Sequence, residues 1–190
     1  MHQKKSLEKT LSYGSLTHDD IKYAFKKVVN MVQPSHPYKN NPYPITESGI
    51  DYSYKKKTSS YYASCGPRKT RGKVVGFSAD KHFFNNSSPE QILGILVHEI
   101  THITVGRHSD VENGAHPPRF WRELGFNAHI MLDNWDEVES SFGDVTKRDF
   151  IGSIIKNEVT TFNIDNRYGS EMLRKQEMAR WFKNTLKNEN

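Results

Sequence analysis

Two histidines and a glutamate, set as His98-Glu99-Ile100-Thr101-His102, are the residues of this 190-residue chain best spaced to do chemistry. In a helix of about 3.6 residues per turn, His98 and His102 stand one above the other, so both imidazoles reach a single metal ion. Glu99 lies about 100° further round, near enough to hold a water at that metal without ligating it. Zinc suits such a pair because it takes neutral imidazole nitrogen in tetrahedral geometry. A third protein ligand, with one position left open, then makes a catalytic centre.

Spacing alone leaves the third ligand open. His108 falls where the metzincin pattern H-E-x-x-H-x-x-G-x-x-H has its last histidine, but that pattern turns on a glycine at 105, where this chain has Val105 and then Gly106. His116 stands further on, in Gly114-Ala115-His116-Pro117-Pro118-Arg119-Phe120-Trp121, at the mouth of a following helix. The downstream carboxylates Glu112, Glu123 and Glu137 are further candidates, each more simply a solvated charge.

The elements that must position these groups can be read from pattern. Ser88-Pro89-Glu90 is a helix start, and Ile92, Ile95, Leu96 and Ile103, widened by Leu93, Val97 and Ile100, predict a motif helix over about 90–104 that is buried nearly all round. Pro117-Pro118 opens a second helix through Phe120, Trp121, Leu124, Ala128 and Met131. Thr17 caps a first helix to about Gln33, with Ile21, Phe25, Val28, Val29 and Val32 on one face and Pro34 ending it. Residues 34–45, with four prolines, read as a connecting loop. Residues 50–77 read as strands and turns: Tyr52 and Tyr54 alternate with polar residues, Cys65-Gly66-Pro67 is a turn, and 73–78 is a short strand. Asn85 to Ser88 is a turn into the motif helix. Beyond Trp135 an acidic linker leads to a helix over about 146–157 with Phe150, Ile151, Ile154 and Ile155 on one face. A weak strand at 159–164 and a last helix from Ser170 follow.

The short strand, Ser-Pro-Glu, the HEITH helix and H-P-P-R-F-W together closely resemble the SprT-like metalloproteases, the Spartan group, and the related WLM-type peptidases, over roughly residues 72–126. The resemblance implies an α+β zincin-like core, an active-site helix packed on a small, mostly antiparallel sheet. It implies Zn2+ held by His98, His102 and His116, with Glu99 as the catalytic glutamate, and peptide-bond hydrolysis of a protein substrate as the reaction. By the same resemblance residues 74–78 would pair with an extended substrate, and Arg119, Tyr61 and Tyr62 are candidates for an oxyanion donor. Unlike the longer members, the sequence holds no Cys-rich ribbon, because Cys65 is its sole cysteine.

Composition bounds the remaining classes. A 35% hydrophobic chain of this length buries one ordinary core with an appendage. The expected division is a flexible arm over 1–16, a catalytic domain over 17–135 and a helical accessory segment over 136–190 packed on it. No apolar run is long enough to span a membrane, and the expected setting is soluble and intracellular. Residues 1–81 carry 15 Lys/Arg against 6 Asp/Glu, and residues 82–190 carry 12 against 16, so the basic half invites an acidic partner. Its centre is acid-free: Tyr52, Tyr54, Lys55, Lys56, Lys57, Arg68, Lys69 and Arg71 interleave rings with cations, as single-stranded DNA would require. The bland alternative is a solvated basic hairpin whose tyrosines pack on the core. Two other function classes compete with the peptidase: a nucleic-acid-binding module with a structural zinc, and a zincin-fold hydrolase acting on a non-protein substrate. Glu99 argues against the first, since a structural site needs no carboxylate between its histidines.

Overall fold

A computed structural model of the chain describes residues 11–33, 49–55, 62–67, 75–105, 116 and 118–160. It is α+β: among the described residues, six helices surround a small three-stranded sheet.

Helix α1 (His18–Val32) starts where Thr17 and Asp20 satisfy each other's ends, Asp20 N donating to Thr17 Oγ1 at 3.2 Å and Thr17 N to Asp20 Oδ2 at 2.8 Å. Such a capping box answers two backbone donors the first turn cannot pair. The helix stops at Gln33, whose left-handed φ of 48° turns the chain out of the helix while its N–H still donates to Val29 O. Its buried face lies on the sheet, with Phe25 stacked on Phe77 at a centroid distance of 4.0 Å.

The sheet runs β1 (Ile50–Lys55), β3 (Val75–Asp80), β2 (Ala63–Pro67) in spatial order. β1 pairs with β3 in parallel, Tyr52 opposite Phe77, and β2 pairs with β3 antiparallel, Cys65 opposite Phe77. The sheet is therefore mixed, with one parallel and one antiparallel pair, where a mostly antiparallel sheet was expected. Along β3 the alternating Val75, Phe77 and Ala79 are buried, the period-two signature of a sheet covered on one face. Cys65-Gly66-Pro67, expected as a turn, is extended in β2, an outer strand of the described sheet, where a missing proline donor is tolerated.

Helix α2 (Lys81–Asn85) occupies part of the expected approach to the motif helix, capped by Asp80 Oδ1 accepting from Phe83 N at 2.7 Å. Helix α3 (Pro89–Val105) carries the motif and begins with a second reciprocal cap: Gln91 N donates to Ser88 Oγ at 3.3 Å and Ser88 N to Gln91 Oε1 at 3.0 Å. Helix α4 (Pro118–Asp133) packs on α3 and runs unbroken through Gly125. The acidic stretch expected as a linker is instead α5 (Trp135–Phe142), which buries Trp135, Val138 and Phe142. Helix α6 (Lys147–Thr160) lies against α3 and carries Val159 and Thr160 as helix rather than strand. The rest of the expected strand and the last helix lie outside the described residues, as do 34–45.

One hydrophobic cluster joins all of this. It takes in Leu11 and Leu16 from the expected arm, the inner faces of α1 and the sheet, α3, α4, and Val138, Phe142, Phe150, Ile151 and Ile154 from the expected accessory segment. The arm is tied down over 11–16: Tyr13 donates its hydroxyl to Phe142 O at 2.6 Å, and Leu16 N donates to Asn85 Oδ1 at 2.8 Å. Among the described residues, no helix is long and apolar enough to cross a membrane.

Candidate metal centre

The three histidines His98, His102 and His116 come together, each able to offer one ring nitrogen, with those atoms all within 4.8 Å of one another. His98 and His102 are one turn apart on α3, as their spacing dictates. His116 reaches them from the entry to α4.

His102 Nε2 is 3.2 Å from His98 Nε2 and 3.3 Å from His116 Nε2. An imidazole nitrogen has one in-plane position, holding either a proton or a lone pair, so His102 Nε2 can serve in one good hydrogen bond and not two. Three lone pairs aimed at a common point satisfy both distances, provided a cation sits there. Two nitrogens bound to a tetrahedral zinc at about 2.0–2.1 Å stand about 3.3–3.4 Å apart, which is the separation seen on both sides of His102. The residues therefore fit a metal ion, and the donor set, all imidazole with no thiolate, suits zinc.

Glu99 is adjacent to His98 and buried in α3. A buried carboxylate on an otherwise apolar helix is costly to keep unless it has a task or partners. Asn127 of α4 donates from one amide nitrogen to Thr101 Oγ1 at 3.1 Å and to Thr104 Oγ1 at 3.2 Å. Each threonine hydroxyl already directs its own proton elsewhere, Thr101 to Val97 O at 2.8 Å and Thr104 to Thr101 O at 3.1 Å. Both hydroxyls are left as acceptors, which orients the amide and fixes α4 against the motif helix. Sequence reasoning passed over this network, whose only trace was a lone asparagine among the apolar positions of α4.

Compared with protein-family models, curated proteins and solved structures, the chain matches none. What the centre can do rests on its own geometry.

Other expected site residues fall out differently. β3 is the middle strand of the sheet, with β1 on one side and β2 on the other, so residues 75–78 do not offer an open edge to an extended substrate. Tyr52 and Tyr54, expected to stack on bases, turn their rings to the core. Tyr52 meets Phe25 edge-on at 5.9 Å, and Tyr54 meets Phe84 at 6.4 Å and donates its hydroxyl to Asn85 Oδ1 at 3.3 Å. Burial, with Asp20 and Asp80 nearby, pushes the Tyr54 phenol up to about 12. Tyr62 is exposed and stacked on Phe83 at 3.7 Å. Glu137, considered as a ligand, instead faces Lys27 at 3.5 Å. Lys56, Lys57, Arg68, Lys69, Arg71, His108, Glu112 and Tyr61, and the side chains of Lys55 and Arg119, lie outside the described residues.

Proposed function

We propose that this chain is a zinc-dependent metallopeptidase of SprT-like type that hydrolyses peptide bonds of protein substrates, with His98, His102 and His116 as zinc ligands and Glu99 as general base. The observation that carries the reading is the convergence of two imidazole nitrogens on His102 Nε2, beside a buried glutamate. Zinc bound there would supply Lewis acidity towards a peptide carbonyl and lower the pKa of a water. Glu99 would accept that water's proton during attack on the carbonyl and return it to the departing amine nitrogen. The motif helix, buried nearly all round and fixed by Asn127, would keep the base and two ligands in one rigid frame, which lowers the reorganisation needed at the moment of reaction.

Charge supports a direction for this activity. Residues 52–73 carry no acid, and with Tyr52 and Tyr54 packed inward the segment's main means of holding single-stranded DNA is its cations, Lys55, Lys56, Lys57, Arg68, Lys69 and Arg71, with the exposed ring of Tyr62 beside them. Substrates bound to DNA would then be delivered chiefly by phosphate contacts, without base stacking on Tyr52 or Tyr54.

The test is metal analysis of the purified chain beside digestion of an unstructured protein such as casein. A single zinc ion per chain is expected. His116→Ala should lose it and His108→Ala should keep it; the opposite pattern points to a metzincin-like centre. Glu99→Gln should keep fold and zinc while lowering cleavage about 10²–10⁴-fold, because the amide cannot take the proton. Cleavage by Glu99→Gln at the parent rate removes the mechanism.

A further inference from the structure

We propose that Phe120, assisted by Trp121, is the positioning residue of the metal centre: its ring is the surface against which the three imidazoles are set, and the pair holds His116 at ligating distance. The inference deepens the metallopeptidase reading and rests on it.

The need for such a residue follows from how the three ligands are supplied. The separation of His98 and His102 is fixed by one helix, whose backbone bonds hold both. His116 precedes the first residue of α4, so helical geometry does not set its ring. Two side chains from the first turn of α4 do. Phe120, four residues on, stacks on the His116 ring with centroids 4.0 Å apart and planes 29° from parallel. Trp121 donates its indole N–H to His116 O at 3.2 Å and stands edge-on to the same imidazole at 5.5 Å. Ring and carbonyl of His116 are thus both held from α4.

Phe120 also reaches the other two ligands, 4.9 Å from the His98 ring and 4.8 Å from that of His102. The three imidazoles are 5.0, 4.9 and 5.0 Å from one another. Four rings therefore occupy the corners of a nearly regular tetrahedron, three with ligating nitrogens and one with none. A phenyl ring has no hydrogen-bonding group, so it can meet only the carbon faces and edges of its neighbours. It is fully buried, and so it presents apolar surface to all three imidazoles. Groups beyond the ligands that orient them in this way commonly change metal affinity when altered.

A buried phenylalanine also stabilises the fold, and the experiment must separate the two effects. Zinc affinity would be measured on the full chain by competition with a chromophoric chelator, and the coordination by the visible absorption of the cobalt(II)-substituted protein. Phe120→Leu keeps an apolar side chain but removes the flat ring. It should weaken zinc binding about 10–100-fold and lower the intensity of the cobalt bands as His116 loses its fixed place. Trp121→Phe, which removes the bond to the His116 carbonyl and part of the buried ring while keeping an aromatic side chain, should weaken zinc about tenfold. Phe150→Leu is the control, an equally buried ring on α6 that should leave affinity and spectrum unchanged despite its cost to stability. Parent-like zinc affinity and cobalt spectrum in Phe120→Leu overturn the proposal. If that variant does not fold, parent-like affinity in Trp121→Phe does so. A parent chain that binds neither zinc nor cobalt removes the metal reading itself, and this proposal with it.

Discussion

A single ring nitrogen decides how the centre is read. Because His102 Nε2 has only one in-plane position, its two short contacts are intelligible as a shared cation and not as two hydrogen bonds. The motif pair was legible in the sequence, since helical spacing fixes it. The choice of His116 over His108 came from the resemblance carried by H-P-P-R-F-W and not from spacing, because no local rule constrains the thirteen residues between His102 and His116; what brings His116 in is the packing of α4 on α3. Tyr54 shows the opposite failure. Its place among lysines and arginines suggested base stacking, yet its alternation with polar residues describes one inward face of a strand, and the ring packs on the core as the bland alternative had it. The folded chain raises its phenol to about 12 from an ordinary 10.0, through burial first and then Asp20 and Asp80. Raised means that the folded state holds this proton more tightly than the unfolded one. The stabilisation is therefore whole below pH 10 and is lost as pH climbs through about 12. Tyr13 is shifted in the same direction by burial and Glu90. Urea unfolding at about pH 9 and about pH 11 should show the parent losing more stability across that interval than Tyr54→Phe. Equal losses would show that Tyr54 ionises as freely in the folded chain as in the unfolded one.

At the scale of elements, helices with strong caps and one apolar face were readable, and those that depend on partners were not. α1 and α3 each begin with a reciprocal cap that the sequence spells out in Thr17/Asp20 and Ser88/Gln91. α5 was hidden because its first turn carries Asp136 and Glu137, acids that suit a helix N-terminus but also read as a linker. The crossing of α6 on α3 was hidden too, because it depends on one missing side chain. A Cβ on Gly94 would lie 2.5 Å from Ser153 Oγ, and that hydroxyl stands 2.8 Å from both Glu90 O and Phe150 O. Glycine inside a helix costs about 1 kcal/mol relative to alanine, so its presence here is set by the approach of α6. Gly94→Ala regains that propensity but forces the hydroxyl or the helix away, and overpacking of about 1–3 kcal/mol should leave the chain net destabilised by up to about 2 kcal/mol. In a Ser153→Ala background the closest remaining neighbours are Ile154 Cγ1 at 3.5 Å and Ile154 N at 3.6 Å, ordinary contacts. There Gly94→Ala should be neutral or stabilising. A urea double-mutant cycle should give a coupling of at least about 1 kcal/mol, and additivity would show that the two helices meet without this constraint.

At the scale of the whole molecule, α5 and α6 bury their apolar faces in the same cluster as the motif helix, so one core spans both segments. Charge is distributed unevenly along the chain, net +9 over residues 1–81 and net −4 over 82–190, with the three clustered histidines in the acidic part. A polyanion would be drawn to the first part and held off by the second, so binding and hydrolysis would be served by different halves of one core. If phosphates are the target, affinity for a single-stranded oligonucleotide should fall with salt at a log–log slope of about −0.7 for each cation engaged. Replacing Lys55, Lys56 and Lys57 together by alanine should then flatten the slope by about two units. Since the Tyr52 ring lies against Phe25 and Phe77, Tyr52→Phe, which keeps that packing, should leave binding as it was. A fluorescence salt titration of parent, triple variant and Tyr52→Phe separates the terms. An unchanged slope in the triple variant, or no binding at low salt, would leave the basic segment as a solvated surface and remove DNA targeting from the proposed function. A loss of binding in Tyr52→Phe would put the phenol hydroxyl, and not charge alone, at the nucleic acid.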